Sequence, residues 1–109
     1  SAMMTIQGLW TAANDKIPCI FIICNNGMYR VLKVNFNVYQ EEILEQKETA
    51  GENLLYSNFD TPFDISEIAK GMGLDSERVE KPEDIKGAVE KALASGRPSV
   101  IDIVIDGRL

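Results

Sequence analysis

The sequence contains no histidine. That removes every imidazole-based arrangement: a Ser-His-Asp set, a His-ligated metal, and an imidazole acid or base working near neutral pH. Cysteine is scarce as well. Cys19 and Cys24 are the two present, five apart in one apolar run, where period-two alternation sends them to opposite faces and forbids a bridge between them. They are expected to be small buried hydrophobes in a reducing, cytoplasmic setting. No apolar run approaches the roughly 18 residues needed to cross a bilayer, and no secretory leader is visible at the start. Basic residues number 11 against 17 acidic ones, a net charge of −6, which argues against a nucleic-acid or anionic-membrane surface. There is no Walker loop and no G-x-G-x-x-G turn, so a flavodoxin-like nucleotide binder ranks last among the readings.

What is present is enough for a packed core, with 45% apolar residues in a chain of 109. That length allows one domain at most, and fits part of one. Apolar periodicity predicts a helix over Ala2–Ala13, with Met3, Ile6, Trp10 and Ala13 on its buried stripe and Gly8 packed close to a sheet. Cys19–Cys24 holds four Ile or Phe among six uncharged residues and reads as a strand buried on both faces. A short helix is expected from Met28 to about Val34. Asn35–Asp60 reads as mostly irregular, with a helical turn or two over Glu41–Glu48 and a break at Gly51-Glu52-Asn53. Asp64 with Glu67 three residues on is a capping box, with Phe63 stapled on Ile68. Ile65, Ile68, Ala69 and Met72 form the buried stripe of that helix, and Gly73 stops it. A short strand is expected near Arg78-Val79. Pro82 opens the last helix at its first position, with Glu83 and Asp84 in the first turn. Ile85, Ala88, Val89, Ala92 and Leu93 face inward, and Gly96 ends the helix. Ser99–Ile105 is a final strand, apolar except for Asp102. Helices alternating with strands in this order give an α/β fold with a parallel sheet.

The chemistry concentrates where the Cys19–Cys24 run opens into Asn25-Asn26-Gly27. In open parallel sheets, ligands bind at the carboxyl ends of the strands. Two carboxamides and a glycine there offer hard oxygen ligands and close backbone approach, which suits a Mg²⁺-diphosphate group. Taken alone, the triplet reads first as an ordinary turn after a strand; its flanks shift that balance. Its flanks are GLWTAANDKIP (Gly8–Pro18) and MYRVLK (Met28–Lys33). Further on stand FDTPFDISEIAKGMG (Phe59–Gly73) and ERVEKPEDIKGAVEKALASGRPSVIDIVID (Glu77–Asp106).

In that order these segments resemble the C-terminal cofactor-binding domain of thiamine diphosphate-dependent enzymes, in the group of benzoylformate decarboxylase and the large subunit of acetolactate synthase. The resemblance covers nearly the full chain. It implies a partial domain, residues 1–109 forming the C-terminal portion of a parallel-sheet, three-layer, flavodoxin-like thiamine diphosphate-binding fold. It also implies thiamine diphosphate and Mg²⁺ as cofactors. Asn26 would supply a side-chain oxygen to the metal and Met28 a backbone carbonyl oxygen. Gly27 would let the backbone pass close to phosphate, and Tyr29 would either reach a diphosphate oxygen or pack at a helix start. Ser1 and Ala2 would present backbone N–H groups to the anion. Asn25 would make structural hydrogen bonds at the strand end. The family carries a Gly-Asp-Gly triplet whose aspartate would fall just before Ser1. Ser1-Ala2-Met3 fits either the residues that follow that triplet or an expression scar.

The implied parent is a 2-oxo acid decarboxylase or carboligase. The glutamate that activates the cofactor belongs to another domain on a neighbouring subunit in that family, so this chain alone is expected to be inactive and to have no catalytic residue. Its partners would be the remaining domains of the parent or a separate subunit. The alternative is a non-catalytic interaction module derived from the same domain, with codons for Gly-Asp-Gly ahead of Ser1 as the discriminating observation. Half a parallel sheet leaves an apolar strand uncovered, so a homo-oligomer burying Cys19–Cys24 or its neighbour is expected. Glu41, Glu42, Glu45 and Glu48 read as a solvated face. Trp10 reads as helix core, and Asp102 and Asp106 belong to no motif.

Overall fold

The computed structural model describes residues 2–45 and 54–107. The chain groups into two compact units, 1–25 with 64–105 and 26–63 with 106–109.

The first unit is built on three parallel strands, β1 (Ile20–Asn25), β2 (Asp75–Val79) and β3 (Ser99–Val104), in the order β1-β3-β2. Ile23 and Arg78 flank Asp102 in register. β3 is central, and its first four residues are buried. Helices α1 (Gln7–Asn14) and α3 (Ile65–Gly71) cover one face, where Leu9, Ile65, Ala69, Leu74 and Val100 form a core with Phe21 and Ile23 packed against it. Helix α4 (Pro82–Ser95) covers the other, where Val79, Ala88, Ala92 and Ile101 cluster. This unit is thus an α/β layering of the expected class. The punctuation is local chemistry. Asp64 Oδ1 accepts from the Glu67 N–H at 3.0 Å, Pro82 stands in the first turn of α4, and Gly96 closes that helix with φ +60.

Several sequence expectations need correction. The first helix is split: a 3₁₀ turn, Ala2–Thr5, precedes α1. Its stripe centres on Leu9 and Ala12, and Trp10 is 57% exposed rather than core. Gly8 is exposed, with no atom within 4 Å of where a Cβ would stand, so no close packing requires it. Leu93 is exposed. Residues 20–25 are not buried on both faces: Ile22 is 53% exposed, Cys24 is exposed and Cys19 half-buried. The reason is position in the sheet. The doubly covered strand is β3, whereas β1 is at the edge, paired only with β3 among the described strands. The cluster under α4 takes up Ile20 but leaves Ile22 outside.

The second unit contains α2 (Arg30–Val38), which continues into a π-helical turn, Tyr39–Ile43. The expectation of irregular structure from Asn35 therefore fails over 35–40, while the helical turn expected from Glu41 is present through Ile43. The less exposed positions of this helix are Lys33, Val34, Phe36, Asn37 and Gln40. That is helical spacing, but polar side chains occupy part of the stripe and hide it from an apolar count. Glu41, Glu42 and Glu45 are exposed. Glu48 and Gly51-Glu52-Asn53 lie outside the described residues. Among the described residues no helix is long and apolar enough to cross a membrane.

Candidate functional site

β1 ends at Asn25, whose backbone C=O accepts from the Ile105 N–H at 2.9 Å. Its side-chain Nδ2 donates to Asp102 Oδ2 at 3.4 Å. Asp102 is wholly buried on the central strand, and its Oδ1 has no hydrogen-bond partner among the described residues. Burial pushes the Asp102 carboxyl above its ordinary pKa; the Asn25 hydrogen bond and the Arg78 charge pull it down, and the Asp64 charge adds to the rise.

In the second unit, Asn26, Gly27, Met28 and Tyr29 make one turn. Asn26 Oδ1 accepts from the Met28 N–H at 3.4 Å, beyond the usual range of about 2.7–3.2 Å, so the contact is weak. Gly27 adopts φ +64, in the left-handed region. Met28 forms an isolated antiparallel bridge with Asn58. Its flanks carry the bonds: the Tyr29 N–H donates to Ser57 C=O at 2.7 Å and the Phe59 N–H to Gly27 C=O at 2.9 Å. In such a bridge the central residue's own N–H and C=O point away from the partner strand, here toward the side on which Asn26 Oδ1 lies. Tyr29 caps α2 by position, and its ring packs edge-on against Phe59, centroids 4.9 Å apart.

The sequence and the fold both match known proteins. Residues 1–103 match the family model for the thiamine pyrophosphate enzyme C-terminal TPP binding domain. The chain belongs to the thiamine pyrophosphate enzyme family. It is 33% identical over 104 residues to a benzoylformate decarboxylase of Pseudomonas aeruginosa, covering 94% of this chain and 17% of that protein. It is 31% identical over 106 residues to a Mycobacterium tuberculosis protein named as an acetolactate synthase large subunit, covering 96% of this chain and 20% of that one. The crystal structure of benzoylformate decarboxylase from Polynucleobacter necessarius superposes with a TM-score of 0.78 at 28% identity, over 99% of this chain and 18% of that one. The chain thus spans about a fifth or less of the length of these relatives.

Within this thiamine pyrophosphate-binding domain, the structure brings four of the six residues singled out from the sequence onto one turn: Asn26, Gly27, Met28 and Tyr29. Ser1 lies outside the described residues. Ala2 opens the 3₁₀ turn, and it packs on the core beneath α1. Two residues escaped sequence reasoning. Asp102 carried one signal, a lone carboxylate in an apolar central strand. Gly107 carried none: it is buried, and a Cβ built there would stand 2.7 Å from the Asn26 backbone oxygen. Among the described residues no group of three or more His, Cys, Asp or Glu side chains could hold a metal. A cavity of about 410 Å³ lies by the amino-terminal halves of β2 and β3, lined by Ser76, Lys91, Ser99 and Ile101, at the opposite ends of the strands from Asn25.

Proposed function

We propose that the chain is the thiamine diphosphate- and Mg²⁺-binding segment of a 2-oxo acid decarboxylase or carboligase, and that it is the C-terminal portion of a cofactor domain within a longer polypeptide. The observation that carries this reading is the Asn26–Met28 turn. It sets a carboxamide oxygen and a backbone carbonyl on one side, with a left-handed glycine between them. Both donors are hard oxygens. Mg²⁺ prefers such ligands, keeps several waters, and commonly shares phosphate oxygens with its ligand rather than filling an all-protein cage. The weak Met28 contact to Asn26 Oδ1 leaves that oxygen able to turn to a cation. Asn26 and Met28 are the metal-side residues in this reading, and Ser1, Ala2, Gly27, Met28 and Tyr29 the diphosphate-side ones.

The cofactor, when bound, supplies the electron sink for a 2-oxo acid; the residues of this chain bind and orient it. The remaining domains, on the same polypeptide or a separate subunit, supply acid and base groups, and the assembly is a homo-oligomer. The setting is cytoplasmic, without nucleic-acid or membrane partners. In this reading the 109-residue chain by itself is inactive.

The test compares the complete translated polypeptide with this chain by thermal melting, with and without thiamine diphosphate and Mg²⁺. A ligand at 100 times its dissociation constant stabilises a fold by about 2.7 kcal/mol. The complete polypeptide should show a shift of that order and turn over pyruvate or benzoylformate, and the isolated chain a much smaller shift. Equal large shifts would show that nothing outside residues 1–109 takes part in binding. No shift in either would remove the cofactor role.

A further inference from the structure

Gly107 has no catalytic chemistry, yet it occupies the most crowded glycine position in the described chain. A Cβ built there meets the Asn26 backbone oxygen at 2.7 Å, Met28 Cε at 2.8 Å and Met28 Sδ at 3.0 Å. Cβ atoms do not approach other heavy atoms that closely, so any side chain would have to displace something. The Met28 contacts are with the free end of a flexible side chain, which can swing aside. The Asn26 contact is with backbone, and moving it means moving the turn. Gly107 does not stand there for conformational freedom, because the glycines with positive φ are Gly27, Gly73 and Gly96. Close approach is what the position requires. The Gly107 backbone is thus the floor on which the Asn26–Met28 turn rests, and the Met28 side chain folds across it. All three residues belong to one unit of the chain.

We infer that Gly107 is a positioning residue for the Mg²⁺-diphosphate site, fixing the spacing of the Asn26 carboxamide and the Met28 carbonyl through its contact with the Asn26 backbone oxygen. This rests on the reading of Asn26 and Met28 as the metal-side residues. Groups that orient metal ligands without touching the metal commonly alter affinity by about 10–100-fold when changed, and a displaced Asn26 backbone puts Gly107→Ala in that range.

The experiment titrates Mg²⁺ at saturating thiamine diphosphate on the complete polypeptide, by calorimetry, for wild type, Gly107→Ala, Gly107→Ala/Met28→Ala and Asn26→Ala. Melting without ligand is recorded alongside. Gly107→Ala should weaken Mg²⁺ binding about 10–100-fold. The double variant removes two of the three close contacts and should recover part of that loss but not all, because the contact to the Asn26 oxygen remains. A residue that only supported folding would lower the ligand-free melting temperature and leave Mg²⁺ affinity of the folded protein unchanged. Should Gly107→Ala fail to fold, the double variant is titrated in its place, with weakened binding again expected. Wild-type Mg²⁺ affinity in the Gly107 variant, with binding lost in Asn26→Ala, overturns this inference alone. Wild-type affinity in both overturns the cofactor-site reading with it.

Discussion

Replacing Asp102 with asparagine should stabilise the fold, and by an amount that depends on pH. Asp102 is wholly buried in the central strand. Its Oδ2 receives a long hydrogen bond of 3.4 Å from Asn25, and its Oδ1 receives none from the described residues. An unsatisfied buried polar group costs about 1–3 kcal/mol, and more when charged. Asparagine keeps the shape and can still accept from Asn25, but carries no charge. Burial raises the Asp102 pKa in the folded state. Between the unfolded value, about 3.9, and that raised value, the folded state binds more protons than the unfolded one. Wild-type stability therefore falls as pH climbs through this window and levels off above it. Asp102→Asn lacks this slope. At neutral pH the variant should exceed wild type by about 1 kcal/mol, the difference between leaving a charged and a neutral group unpaired, each kcal/mol being worth about 4–8 °C in a domain of this size. Below the folded pKa the gap should narrow. Urea melts of both proteins from pH 3.5 to 8 read this directly. An Asp102→Asn variant less stable than wild type at pH 7, or a gap that does not change with pH, would refute the reasoning and show that the carboxylate is well satisfied.

Two further substitutions test the local physics. Gly8→Ala should raise stability by about 1 kcal/mol, because Gly8 is an exposed α-helical residue with open space at its Cβ position; a loss in thermal melting would mean that something packs there. Gly27→Ala should destabilise by about 1–2 kcal/mol through the left-handed backbone, with Gly27→Asn milder; the reverse order in the same melts would contradict the assigned φ of +64.

The parts of the fold that were legible in the sequence share a physical cause. The caps of α3 and α4, Asp64 with Glu67 and Pro82 with Gly96, act through contacts within a few residues, so the chain itself reports them. The strand 20–25 was legible as a strand but not in its burial. Whether Ile22 is covered depends on which strand sits at the centre of the sheet, and that is set by pairing partners some 75 to 80 residues away. Trp10 falls outside the core because a stripe through Met3, Ile6 and Ala13 fits two helical phases, and α1, after its 3₁₀ turn, buries the one through Leu9 and Ala12. α2 runs past the end of its apolar pattern because Asn37 and Gln40 lie among its less exposed positions. At the site, contiguous residues could be read from the motif, since Asn26 to Tyr29 follow one another along the chain. Gly107 could not, because it meets Asn26 across more than 70 positions; the same holds in the first unit for Asp102 and its partner Asn25.

The most direct test of the central claim is calorimetric titration of thiamine diphosphate, with and without Mg²⁺, into the complete polypeptide carrying either Asn26 or Asn26→Ala. The account predicts Mg²⁺-dependent binding to the first and a loss of about tenfold or more in the second, on the scale of a charge-assisted ligand contact worth about 1.5–3 kcal/mol. Equal affinity in the two proteins, or binding indifferent to Mg²⁺, would contradict it.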